Sequence, residues 1–328
     1  MTVFKKENTY LHLFELNSKV QYMFVTKAKW IAWPVLFIMC LCGVLVFSLP
    51  IQVLAEIFFV IQDFMGNDLF SSPWYMFISY SLSTGVTILA FFTYIRVIEK
   101  RPFHTIGLVS RLKLKKYING AVIAIIMQLT YFCLVLVLGF AKVQVVPEQS
   151  AKGFGVQTIG FVFLYLIMFV IQGASEEVTV RGWLFPVLSR HYSLPVAIFL
   201  SSLFFGSMHL LNPNVAVLPI INLVLYGVFA CLYAIYDDGL WGIFAHHSIW
   251  NWFMGNVLGL PVSGLVPGGV SIFKTSISGP AMITGGEFGP EGGLIVTVML
   301  TAACGVTYYL INGNVKSRSE MIAVDESN

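Results

Sequence analysis

Apolar runs separated by short polar or Gly- and Pro-rich breaks follow one another along the whole chain. Several reach the ~20 residues that an α-helix needs to cross a bilayer. The pattern predicts an all-α fold, a polytopic transmembrane helical bundle of about eight spans. These are placed at 30–47, 74–95, 118–140, from 158, 194–209, 217–236, from 240, and 294–311. The segment 51–64, which carries Glu56 and Asp63, reads as interfacial or as a prolongation of the first span. The chain then divides into a polar lead at 1–29, N-terminal spans at 30–157, and a membrane core at 158–260. A Gly-, Pro- and Ser-rich external loop at 261–293 and a last span with a polar tail at 294–328 complete it. No internal repeat interrupts this single membrane domain.

Composition agrees with the pattern. Mean hydropathy is +0.82 and only 11% of residues are charged, against about a quarter in soluble proteins. The net charge of +3 is small, and the basic residues collect in loops. No basic helix face is available to read nucleic acid, so the expected surroundings are the lipid bilayer and not a nucleic acid. With the N-terminus inside, only Lys142, Lys152 and Lys274 fall outside, while the basic loop 96–116 is cytoplasmic. The positive-inside rule therefore predicts a multi-pass protein of the plasma membrane with both termini cytoplasmic. Within that loop, Leu108, Leu112 and Leu114 alternate with Arg111, Lys113, Lys115 and Lys116, as suits a short segment on anionic headgroups. No short apolar region with a small-residue cleavage site stands near the start, so no secretory signal peptide is expected. Cys40, Cys42, Cys133, Cys231 and Cys304 all lie in apolar runs and read as buried thiols.

Three helices carry groups that a lipid-facing helix would not tolerate. The apolar run 159–171 leads into Glu176 and Glu177, with Arg181 one turn on. Ionisable groups at membrane depth are expensive and signal function or pairing. On a helix Glu177 and Arg181 stand at i and i+4, with the acid first, the favourable order for an ion pair. Glu176 is rotated away by about 100° and left free for chemistry. His209 follows Phe205 at i+4, and Asn251 follows His247 at i+4, so each pair shares a helical face. Glu176 can take a proton from water, a histidine can polarise a carbonyl or protonate the leaving amine, and Asn251 can hold an oxyanion. The same set, as Glu176, His209 and His247, can instead hold a divalent metal such as zinc. Either way, the chemistry is peptide-bond hydrolysis within the membrane. His246 points off the His247–Asn251 face and reads as packing. Asp237 and Asp238 read as a helix stop and a cap for the next span.

These residues resemble the motifs of the CPBP intramembrane proteases. That family includes the type II CAAX prenyl endopeptidases and Abi relatives associated with bacteriocin processing and self-immunity. Its EExxxR motif stands as Glu176-Glu177-Val178-Thr179-Val180-Arg181, its FxxxH motif as Phe205 to His209, and its third motif as His247 with Asn251. The resemblance implies that Glu176 is the general base and that Glu177 with Arg181 is a supporting ion pair. His209 and His247 would bind or polarise water and the scissile carbonyl, and Asn251 would complete the oxyanion site. Both glutamate-dependent and metal-dependent members have been described, and the motifs accommodate either.

The expected partner is a membrane-associated peptide or protein: a CAAX-type tail, a pheromone or bacteriocin precursor, or a membrane regulator. Two other classes are open, a non-catalytic scaffold or immunity protein of the same fold and a proton-relay transporter. The intact motifs disfavour the scaffold, and the lack of an inverted repeat disfavours the transporter. For the polar groups to meet, the fourth helix must continue past Arg181, with 182–188 still in the membrane. The cavity they line is expected to open towards the cytoplasmic leaflet, capped by Phe205 and Trp250.

Overall fold

The computed structural model describes residues 49–50, 53–62, 64–66, 72–100, 102–108, 112–144 and 153–325. The expected first span at 30–47 and the lead 1–29 lie outside them. The helices are α1 (Val53–Gln62), α2 (Pro73–Thr93), α3 (Lys113–Val137), α4 (Ile159–Glu177) and α5 (Phe185–His191). They continue with α6 (Leu194–Ser207), α7 (Val217–Tyr236), α8 (Trp241–Trp252) and α9 (Leu294–Asp325). Among the described residues, five helical stretches are long and apolar enough to cross a membrane. They are Pro73–Val97, Lys113–Val137, Val156–Ser189, Val217–Tyr236 and Leu294–Gly313. The protein is a helical membrane bundle, as the hydropathy pattern predicts.

Proline and serine set several helix starts. Pro73, Pro186 and Pro195 each stand in a first turn, where the missing N–H is no loss. Ser72 accepts a hydrogen bond from the Trp74 N–H at 3.3 Å. Pro186 also shapes the turn before it. Its ring displaces the carbonyl of residue i−4, here Gly182, and residues Val178–Leu184 open into a wider π-type helix. The helix thus persists from Val156 to Ser189, and 182–188 are continuous with it, as the depth argument requires.

α8 is the central post. Every residue from Gly242 to Asn251 is buried, and α3 and α4 pack directly on it. Small residues permit the approach. A Cβ at Gly120 of α3 would lie 1.9 Å from the Gly242 carbonyl oxygen of α8, and one at Gly173 of α4 would lie 2.8 Å from Ser248 Oγ. The outward faces of α2, α3 and α9 carry exposed Leu89, Val137 and Val298, as lipid contact demands. Cys133 is exposed and Cys231 buried, so the expectation of buried thiols fails at Cys133, on an outward face of α3.

The bundle has two distinct ends. At the basic end, Lys113 to Lys116 form the first turn of α3 and not a separate surface segment. Lys116 donates from Nζ to the carbonyls of Asp237 and Asp238 at the end of α7. Asp237 in turn accepts from the Gly242 N–H at 3.1 Å, capping α8 from outside its first turn. At the other end, residues 261–293 fold back over the helices. They contain β2 (Lys274–Ile277), paired antiparallel with β1 (Ala141–Gln144), a two-stranded ribbon that the helical periodicity did not predict. Ser271 donates from its N–H to the Gly153 carbonyl and Phe273 to that of Val257, so this segment is tied down.

The α3–α8 contact generates a direct expectation. Gly120→Ala should destabilise the protein by about 1–3 kcal/mol through overpacking. Gly305→Ala, whose Cβ meets nothing within 4 Å, should leave the thermal midpoint in detergent unchanged. Equal midpoints for the two variants would show that the backbones are not in contact.

Candidate active site

Glu176 and Glu177 end α4, yet their surroundings differ. Glu177 is wholly buried and accepts from Arg181 Nη1 at 3.1 Å. The same Glu177 oxygen, Oε1, accepts from His247 Nδ1 at 2.8 Å. A carboxylate only accepts, so Nδ1 of His247 carries the hydrogen and Nε2 is turned elsewhere. It faces Glu176 Oε2 at 3.6 Å, an electrostatic contact longer than a direct hydrogen bond. The Glu176 side chain is 17% exposed and that of Glu177 0%, so Glu176 is the one within reach of water. Gln172, one turn earlier on α4, donates from Nε2 to Glu176 Oε1. Among the described residues, nothing hydrogen-bonds Glu176 Oε2.

Phe205 holds the rest together. Arg181 Cζ sits 4.4 Å from its ring centre, a buried cation–π contact. Its ring lies 5.1 Å from that of His209 and 5.9 Å from that of His247. α6 ends at Ser207, so His209 stands in the following turn and not on the helix. Its Nδ1 donates to the Phe205 carbonyl at 3.0 Å. A carbonyl cannot donate, so in neutral His209 the free lone pair is on Nε2. On α8, Asn251 donates from Nδ2 to Gln172 Oε1 at 3.1 Å, which links it through Gln172 to Glu176.

Glu176, His209, His247 and Asn251 line one cavity of about 150 Å³. Phe205 and Trp250 are also in its wall, where the sequence expects a cap. Its position is a correction. The wall continues through Val262, Ser263, Leu265 and Pro267, which belong to the 261–293 segment at the end opposite Lys113 to Lys116. The cavity therefore lies away from the basic face. The reason is that α4 and α8 run from opposite ends: Glu176 sits some 20 residues into the 34-residue stretch that starts at Val156, while Asn251 is near the far end of α8.

His246 stays out of the cavity, stacked 5.8 Å from Trp250 with Tyr226 Oη 3.4 Å from its Nδ1. Glu176, His209 and His247, the residues a metal-dependent site would use, share the cavity wall. Among the described residues, no group of three or more His, Cys, Asp or Glu is disposed to hold a metal ion.

Residues 158–253 match the family model described as type II CAAX prenyl endopeptidase Rce1-like. That stretch contains all three polar motifs. The matched stretch, under a third of the chain, is similar to the type II CAAX prenyl endopeptidases. The similarity supports a CAAX-type intramembrane protease in general terms. No curated protein and no solved structure matches the chain.

The CPBP motifs account for only part of this wall. Gln172, Tyr226, Asn212 and Glu291 also line the cavity, and sequence reasoning assigned none of them. Gln172 had a usable signal, an amide at i−4 from Glu176 on a polar helix face. Glu291 had none, because it lies in a Gly-rich turn 40 residues beyond Asn251.

The ion pair generates a test. Glu177→Ala and Arg181→Ala should each lower stability and membrane accumulation, since each leaves a buried charge unpaired, a loss of about 3–5 kcal/mol. The double variant should be milder than the sum of the singles. Strict additivity in a thermal assay would mean that the two charges do not pair.

Proposed function

We propose that this protein hydrolyses a peptide bond of a membrane-associated substrate by a Glu176-activated water. The observation that carries the proposal is Glu176 Oε2, bare of protein donors and facing His247 Nε2 in a cavity shared with His209 and Asn251. Oε1 is occupied by Gln172, so Oε2 is the atom left to take a proton. Water hydrogen-bonded there loses a proton to Glu176 as its oxygen bonds to the carbonyl carbon. Asn251 has two amide hydrogens and uses one on Gln172, so the second can serve the developing oxyanion. His209 Nε2 orients the water, or in its protonated form supports the oxyanion. Collapse of the tetrahedral intermediate breaks the C–N bond, and the proton on Glu176 goes to the leaving amine.

Glu176→Gln tests this. The change keeps volume and removes the base, and general-base assistance is worth about 10²- to 10⁴-fold. We expect turnover in purified protein to fall by that factor while the thermal midpoint stays close to wild type. Undiminished turnover would remove Glu176 from the chemistry, and no turnover in wild type would favour the non-catalytic scaffold.

The same proposal assigns a side. With Lys113 to Lys116 cytoplasmic, by the positive-inside rule, the cavity occupies the outer half of the bilayer in the plasma membrane. Its substrate is then a peptide crossing or leaving the membrane, such as a pheromone or bacteriocin precursor, in preference to a cytosolic tail. In a cysteine-free background, Lys142→Cys should react with an impermeant maleimide on intact cells, and Lys113→Cys only after permeabilisation. The reverse result would turn the cavity to the cytoplasm.

A further inference from the structure

Glu291 is a second acid in the cavity wall, and the hydrolytic scheme proposed above has no use for it. It sits in the turn Pro290–Gly292, outside the 158–253 stretch that carries the family match. The residue is 8% exposed and lines the same cavity as Glu176. Its Oε1 accepts from Trp250 Nε1 at 3.0 Å. Its Oε2 accepts from the Ser263 N–H at 2.8 Å and from Ser263 Oγ at 2.6 Å. Ser263 reaches it from a tight hairpin, Val262 to Leu265, in which both ends exchange hydrogen bonds. Ser263 itself takes φ +46, a conformation uncommon outside glycine.

Three donors aimed at two oxygens match an ionised carboxylate, whose oxygens only accept. A glutamine could not replace it, because its amide nitrogen would face one of those donors. The donors are all neutral, and among the described residues no Lys, Arg or His makes an ion pair with Glu291. A buried charge without a cation is costly, and here it borders a cavity that admits substrate. A carboxylate offers about four lone-pair positions, so one remains after the three bonds.

We propose that Glu291 is a specificity residue that receives a basic side chain, Lys or Arg, of the substrate near the scissile bond. The assignment rests on the protease reading but extends it to the chemistry of the substrate. Glu176 acts on the peptide group, while Glu291, fixed by the outer segment and Trp250, selects the charge beside it. Trp250 lies between His247 and Asn251 on α8, so the selecting and reacting groups are held by one helix.

The test uses internally quenched peptides with blocked ends, in which each position in turn is Lys, norleucine or Glu, and the full chain in detergent. At one position, kcat/KM should fall in the order Lys, norleucine, Glu. The Lys to norleucine ratio should be about tenfold or more, the scale of one charge-assisted hydrogen bond. In Glu291→Gln that ratio should collapse to about one, and because the ratio is internal to each protein, loss of folded material cancels. No such order in wild type, or a ratio that survives in Glu291→Gln, overturns the proposal. Should Glu291→Gln fail to accumulate, Glu291→Asp is measured in its place, and a Lys to norleucine ratio unchanged from wild type refutes the assignment. If wild type cleaves no peptide, the hydrolytic reading fails separately. Binding of the same peptides to Glu176→Gln protein then decides, with tighter binding of the Lys member supporting Glu291 and equal binding refuting it.

Discussion

The structure depends on one buried chain of charge, Arg181 to Glu177 to His247. A guanidinium and a carboxylate at membrane depth are tolerable only together, and each is 0% exposed. Their pairing on one helix would stabilise that helix and nothing more. The extra bond from His247 to the same Glu177 oxygen makes the pair organise the site, because it fixes the imidazole by Nδ1 and sends Nε2 towards Glu176. Phe205 then covers Arg181 on one side and meets both catalytic-motif histidines on the other. Geometry therefore separates two chemically identical neighbours: Glu177 is buried in the pair, and Glu176 faces the cavity.

A second constraint is length. α6 has 14 residues and α8, with its π-helical continuation Phe253–Val257, has 17, both short of the ~20 needed to span a bilayer. Two short helices in a bundle of long ones leave space at one end, and residues 261–293 fill it. Non-helical backbone at membrane depth is tolerated where it is buried in protein or lines a cavity. That is the case here: Val262, Ser263 and Glu291 are buried and border the cavity of Glu176 and His247. The short α6 also explains why His209 stands in a turn, where its ring can be fixed by the Phe205 carbonyl rather than by helical neighbours.

Much of this was legible in the residues, for reasons that are local. The spacings Glu177–Arg181 and His247–Asn251 are one helical turn each, and one turn is what periodicity measures best. Phe205 and His209 also meet, although His209 stands in the turn after α6. The span at 217–236 coincides with α7, because Asp237-Asp238-Gly239 stops it sharply. What failed was long-range. The ribbon of Ala141–Gln144 with Lys274–Ile277 joins strands more than 130 residues apart, and neither strand has a strong pattern of its own. The cavity is expected on the cytoplasmic side from the sequence because the span boundaries put the Glu pair near the basic face fixed by the positive-inside rule. The continuous helix to Ser189 places that pair deep in the bundle instead, and only the fold shows that residues 261–267 lie next to it. Glu291 was invisible for the same reason, since its meaning comes from Trp250 and Ser263 in other segments.

The charges around the cavity also constrain how it can work. Among the described residues, Glu176, Glu177 and Glu291 are set against one fixed cation, Arg181, and two imidazoles. Arg181 is committed to Glu177, so positive charge near Glu176 must come from His247, from His209 or from the substrate. In a low-dielectric site, separating charge is expensive and moving a proton over a short path is not. The proposed hydrolysis by Glu176 would suit that limit, because the proton leaving water would stay on the adjacent carboxylate and return to the amine within the same cavity. In that scheme the negative charge would move only from Glu176 to the oxyanion beside Asn251 and back. A substrate that brings its own cation to Glu291 would neutralise a wall that Arg181 does not pair with. The site would then hold opposite charges in pairs throughout the reaction, which is what a cavity enclosed by membrane helices requires.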